Sequence, residues 1–242
     1  MQLIQPQIKP VSKIDGDEAL RIIQRCAKTC YKSYKDTDNT ESAKRIIKNL
    51  LASGHTSLLE NYIITMNYIS NIAAYKDLTR HRTGFSYSIE STRWCNYSKG
   101  KYNGEIKFLY PVEIPVNSPE YQLWLNSMLI TERNYLEMAK LGAKPDQLSL
   151  ILPQSTATEF NITGNLRAWR QLFDLRALDK TGHARPCVKE IMIPTLELFH
   201  EKIPVVFDDQ YKELQQKRAE EKLKEAKKAQ LQIQFEQNQN IK

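Results

Sequence analysis

Arg80, His81 and Arg82 stand side by side, and Ser91 and Arg93 follow a few residues later. Guanidinium groups grip phosphates through forked, charge-assisted hydrogen bonds, and serine hydroxyls and loop amides supply further donors. A cluster this basic is costly to bury without an anion, so it calls for an anionic ligand or for open water. An exposed basic loop would offer the same residues, and Arg-His-Arg alone does not separate the two. Two further polar concentrations accompany it. His55, Thr56, Ser57, Glu60 and Asn61 form one; Asn165, Arg167, Arg170, Gln171 and Arg176 form the other. Polar groups gathered at 55–61, 77–97 and 165–176 exceed what architecture alone requires, which speaks against a purely structural protein.

The elements that would carry these groups are legible from periodicity. Leu20, Ile22, Ile23, Cys26, Ala27 and Cys30 recur at helical spacing, predicting a helix over 17–34. Ala43, Ile46, Ile47, Leu50 and Leu51 predict a second over 40–52, with Gly54 as its stop. Residues 62–70 (YIITMNYIS) are β-rich and partly alternating, which predicts a strand. A short helix over 72–78 then delivers the chain to Arg80. Residues 83–105 read as loop, and 110–119 carries three prolines that break regular structure. Ser118 caps a long amphipathic helix that Gly142 stops. The apolar run 148–152 follows, then a strand over 158–163 and helices over 165–178 and 184–200. No repeat is visible.

The 242 residues suit one large domain or two small ones; 41% are hydrophobic and 26% charged, which excludes a disordered or collagenous chain. No apolar run is long enough to span a bilayer, and the start (MQLIQPQIKP) lacks signal-peptide features, so a soluble, cytoplasmic protein is expected. The formal charge of +7 favours anionic partners. Tyr87, Trp94 and Tyr97 interleave with Arg93 as base-stacking residues would. Yet no nucleic-acid-binding signature accompanies them, and nucleic acid is not the expected partner. No Gly-rich phosphate loop supports a dinucleotide dehydrogenase or an NTPase. Cys26, Cys30, Cys95 and Cys187 lack metal-ligand spacing and read as buried reduced thiols, with no metal site expected. From 208 onward Lys, Glu, Gln and Ala dominate, which predicts a charged helical or disordered tail (208–242) after a main unit over 1–207.

Arg80-His81-Arg82 followed by Ser91 resembles the signature of the flavin-dependent thymidylate synthases, in which seven residues separate the arginine from the serine; here eight do. The extra residue falls near 83–85. The continuation ESTRWCNY (90–97) is similar to the ESTRYCNY of one branch of that family. His55-Thr56-Ser57-Leu58-Leu59-Glu60 resembles its upstream His-x-Ser/Thr-x-x-Glu segment. Ile151-Leu152-Pro153 resembles its ILP turn, and Asn165-Leu166-Arg167-Ala168-Trp169-Arg170 with Leu175-Arg176 its NLRxWR…LR helix. The likeness covers about 15–207.

The resemblance implies an α/β (α+β) fold, a central, mostly antiparallel sheet flanked by helices, assembled as a homotetramer. It implies reductive methylation of dUMP to dTMP, with FAD as hydride carrier, methylenetetrahydrofolate as one-carbon donor and NADPH as reductant. Ser57, Arg80, His81, Arg82, Asn165, Leu166, Arg167 and Gln171 would contact FAD. His55 and Glu60 would lie toward folate and flavin. Asp77, Arg80, Ser91 and Arg93 would face the nucleotide. Arg176 would stand at the uracil edge, where a fixed cation stabilises developing negative charge. Without a base beside it Ser91 is a poor nucleophile, so its role would be binding.

Two positions depart from the pattern. The Glu or Gln expected two residues before Ser91 is Ile89, and the arginine expected four residues before Pro153 is Ser149. Losing one charged contact typically costs about 1.5–3 kcal/mol, or roughly one to two decades in affinity. Three readings of these changes stay open: weaker dUMP binding, compensation by another cation such as Lys144 or by the inserted loop over 83–85, or a different nucleotide as substrate.

Overall fold

The computed structural model describes residues 1–33 and 39–239. Two short strands, β1 (Gln2–Ile4) and β2 (Gln7–Pro10), open the chain. In α1 (Gly16–Tyr31) the Asp15 carboxylate accepts the Glu18 amide at 3.0 Å, and Lys32 ends the helix in the left-handed region at φ 47°. The helix therefore stops before the expected 34, and Tyr34 itself lies outside the described residues. Helix α2 (Thr40–Ala52) has the expected bounds, and Gly54 follows it at φ 73°. A 3-10 turn (Thr56–Asn61) leads into β3 (Ile63–Asn71) and α3 (Ile72–Leu78).

The next stretch corrects the sequence reading. Residues 83–105 are not all loop: they hold β4 (Phe85–Ile89) and a 3-10 turn (Gly100–Tyr102). Phe85, Tyr87 and Ile89 alternate with Ser86 and Ser88 and turn onto the main core. Then come β5 (Lys107–Leu109), α4 (Pro119–Lys140) and α5 (Pro145–Leu148), which passes into a 3-10 turn (Ser149–Ile151). Strand β6 (Ala157–Asn165), α6 (Leu166–Arg176), α7 (Pro186–Lys202) and α8 (Pro204–Gln239) complete the order.

The main sheet is antiparallel throughout, in the order β2-β3-β6-β4. Its centre is the nine-residue pairing of β3 with β6, from Ile63↔Asn165 to Asn71↔Ala157. Both central strands run directly into helices, β3 into α3 and β6 into α6, with Asn71 and Asn165 as the side-chain caps. Strands β1 and β5 form a separate parallel pair.

Helices α1, α2, α3, α6, α7 and the start of α8 pack with this sheet around one core. Trp169, Phe173, Phe199 and Phe207 meet ring to ring at centroid distances of 5.0–5.8 Å. The Trp169 indole also donates to the carbonyl of Gly164 at 3.1 Å, tying α6 to the strand that precedes it. A second cluster (Tyr97, Ile106, Phe108, Met128, Tyr135, Leu148) lies beneath α4.

Helix α8 crosses 207/208 without interruption. Val206, Phe207 and Leu214 are buried, and Arg170 pairs with Asp209 at 2.6 Å. The buried Gln210 amide donates to the Arg170 carbonyl at 2.8 Å and to Asp174 at 2.7 Å. Beyond the Arg218–Glu197 ion pair every residue from Ala219 to Leu231 is exposed. Residues 240–242 of the expected tail lie outside the described residues.

Candidate active site

The Arg80–Gly84 segment lies along α6. At one end, Gly84 at φ 77° accepts the Asn165 amide at 3.3 Å; a Cβ there would come within 2.9 Å of both Ala168 Cβ and the Asn165 side chain. At the other end, Arg176 Nε donates to His81 Nε2 at 3.0 Å. The basic loop is thus pinned to both ends of one helix, and Arg176 faces a histidine rather than a surface carboxylate.

That contact fixes the state of His81. Nε2 can accept only if it carries no proton. Burial first, then the positive charges of Arg176 and Arg80, hold the imidazole below its usual range, while Asp77 opposes them. Tyr87 fastens the turn from beneath: its hydroxyl reaches the Leu78 carbonyl at 2.9 Å and the His81 carbonyl at 2.5 Å. Burial pushes that phenol up to about 12, so it remains a donor. Tyr87 is therefore not free to stack on a base: its register on β4 turns it inward against the main core.

Asp77, on the last turn of α3, forms an ion pair with Arg185 at 3.0 Å. Arg185 is the N-cap residue of α7 and was not anticipated from the sequence. Arg176 and Arg185 therefore bracket the α6–α7 connection, and both reach the stretch 77–81.

On the other side of α6, Arg167 pairs with Glu60 at 2.6 Å, joining the helix to the turn over 56–61. His55, Ser57 and Gln171 are exposed, and Gln171 stands one turn along α6 from Arg167. Asn165 uses its side chain to cap α6 through the Ala168 amide at 2.9 Å. Leu166 is fully buried, and its amide donates to the Tyr62 carbonyl. A cleft of about 240 Å³ opens beside His55, lined also by Lys28, Ser33, Asn49 and Ser53. A larger cleft of about 460 Å³, between α1 and the α7–α8 junction, contains none of the residues singled out from the sequence.

Ser91 and Arg93 are not brought to Arg176 in this chain. They are exposed beyond the far end of β4, whose five residues span about 13 Å from the Gly84 end. Ser91 closes a turn, its carbonyl accepting the amides of Trp94 and Cys95 at 3.0 and 2.9 Å. Trp94 is 82% exposed. Glu90 anchors this turn by accepting from Tyr102 at 2.8 Å, Tyr97 at 3.4 Å and the Glu159 amide at 3.2 Å. Ile89 packs half-buried against the main core, and the Ser149 hydroxyl turns back to the Asp146 carbonyl at 2.7 Å. Neither departure from the family pattern presents a ligand-ready group.

All four cysteines are unpaired, but they are not uniformly buried as expected. Cys187 is buried, and burial pushes its thiol up to about 12; Cys30 is exposed on the outer face of α1. No described helix is long and apolar enough to cross a membrane.

The site is thus a basic loop fastened along the helix that follows the central strand of a helix-flanked antiparallel sheet. A sequence model described as "Thymidylate synthase complementing protein" matches residues 13–205. The chain belongs to this family, that of the flavin-dependent thymidylate synthases, and is an enzyme of the methyltransferase class. It is 28% identical to the flavin-dependent thymidylate synthase of Corynebacterium glutamicum over 81% of this chain and 80% of that one. The Mycobacterium avium enzyme of the same name is 30% identical over 86% and 85%. Among solved structures, the UMP/dUMP methylase PolB of Streptomyces cacaoi, bound with 5-Br dUMP, shares the fold. Its TM-score is 0.68 at 19% identity, covering 86% of this chain and 96% of that one.

Proposed function

We propose that the protein methylates dUMP to dTMP, taking the one-carbon unit from methylenetetrahydrofolate and reducing equivalents from NADPH, with FAD as hydride carrier. The observation that carries this reading is the Arg80–His81–Arg82 loop held along α6, with Arg176 Nε on His81 Nε2 at 3.0 Å. The donor set suits FAD, because Arg80, Arg82 and Arg167 are exposed guanidiniums and Ser57 an exposed hydroxyl on the turn that Glu60 joins to Arg167. Forked donors of this kind match a pyrophosphate. When bound, the flavin would supply hydride chemistry that no side chain here provides.

The protein's own groups position and polarise. Arg176, oriented by His81, would place a fixed positive charge at the uracil edge, where charge develops during reduction. Asp77, Arg80, Ser91 and Arg93 would bind the nucleotide; His55 and Glu60 would line the folate and flavin side. Asn165, Leu166 and Gln171 would complete the helix-borne part of the flavin site. The separation of Ser91 and Arg93 from Arg176 supports a homotetramer in which different chains complete one site. Exposed Leu123, Leu129 and Ile130 on α4, with Leu150, offer apolar surface for such contacts. A cytoplasmic location fits this chemistry.

A second reading concerns the acceptor. Ile89 packed against the core and the Ser149 hydroxyl turned back to Asp146 leave two nucleotide contacts of the family unfilled, which favours a pyrimidine nucleotide other than dUMP. Titration of dUMP and UMP into FAD-reconstituted protein, followed by the visible flavin spectrum, tests both. A saturable change with dUMP is expected. A response to UMP alone would move the acceptor, and a flavin that ignores both would overturn the nucleotide reading.

A further inference from the structure

Resting on the dUMP reading, we infer that Arg185 is the guanidinium that grips the nucleotide phosphate, in place of the arginine absent at Ser149. The α6–α7 connection begins at Arg176 and ends at Arg185, and each end is tied to the same short stretch, Arg176 through His81 and Arg185 through Asp77. Arg185 is therefore held against the last turn of α3, just ahead of Arg80 in the chain. The ion pair runs through Nε, the Arg185 side chain is 54% exposed, and its terminal nitrogens point to no acceptor recorded among the described residues. Such a guanidinium, anchored at one edge and open at the other, has the forked geometry that phosphate oxygens fill.

Position and charge both favour this assignment. Asp77 holds the side chain in place, so less rotamer freedom is lost when a ligand arrives. The alternative cation at the expected place is missing, because Ser149 carries no charge and its hydroxyl is committed to Asp146. Arg176 is engaged with His81 and directed to the base rather than the phosphate under the same reading. Arg185 adds a positive charge to those of Arg80 and Arg93, which the same reading turns toward the nucleotide.

The test compares dUMP with deoxyuridine, which lacks the phosphate, in titrations of FAD-loaded full-length protein followed by the flavin spectrum. Arg185→Ala should weaken dUMP about ten- to a hundredfold and leave deoxyuridine nearly unchanged. Arg185→Lys should fall between, since it keeps charge without the fork. An unchanged flavin content and spectrum in both variants shows that the fold persists. Equal weakening of both ligands, or no weakening of either, would overturn the phosphate assignment while leaving the dUMP reading intact. A wild-type protein whose flavin ignores dUMP would instead remove that reading, and the Arg185 inference with it.

Discussion

Arg176 and His81 constrain each other through their contact at 3.0 Å. A guanidinium that donates to Nε2 keeps the imidazole neutral, and a neutral imidazole holds the guanidinium in one direction. Arg176→Ala should abolish dTMP formation while flavin content stays near wild type, as read by product analysis and by absorbance; wild-type turnover would remove its role. The folded-state value of His81 lies below its unfolded value, so as the pH falls the unfolded chain takes up this proton first. Stability from this residue is retained at neutral pH and declines below about 6.5. Urea midpoints at pH 7.5 and 5.5 should therefore differ more in wild type than in His81→Asn, and parallel declines would contradict the assignment. Tyr87→Phe removes two hydrogen bonds and leaves two carbonyls of the Leu78–His81 turn short of a donor, at a cost of about 1–3 kcal/mol in denaturant stability.

At the scale of elements, the site depends on the close approach of the basic loop to α6. Gly84→Ala would meet both a positive φ and contacts at 2.9 Å, so a loss of about 1–3 kcal/mol with weakened flavin retention is expected. A thermal midpoint and flavin content equal to wild type would show that the loop can move aside. Most of the helices were legible because their apolar residues recur at helical spacing and their caps are conventional: Asn39, Asn71, Ser118 and Asn165 all accept from the expected amides. Strand β4 was hidden because Gly84 and two serines suggest loop, while its pairing partner is seventy-odd residues away in β6. Of the polar concentrations at 55–61, 77–97 and 165–176 visible in the sequence, the fold brings the turn over 56–61 and the loop over 80–84 to α6, while Ser91 and Arg93 lie beyond the far end of β4. Arg185 was not visible, since its link to Asp77 exists only once the α6–α7 connection folds back.

For the molecule as a whole, two features reach beyond the individual site. Trp94, Leu150 and the apolar residues of α4 are exposed, and if the proposed homotetramer covers them light scattering should give four chains per particle. The second half of α8 carries charge, and every residue from Ala219 to Leu231 is exposed. Truncation after Lys222 should leave the thermal midpoint unchanged, whereas truncation before Pro204 would strip Val206, Phe207 and Leu214 from the core and prevent folding. The identity of the reaction is tested most directly by product analysis. Purified protein would be supplied with FAD, NADPH, methylenetetrahydrofolate and an equal mixture of dUMP and UMP. Formation of dTMP from dUMP, dependent on both flavin and Arg176, is the expected result. Methylated UMP with no dTMP, or no methylated nucleotide at all from a flavin-loaded protein, would contradict it.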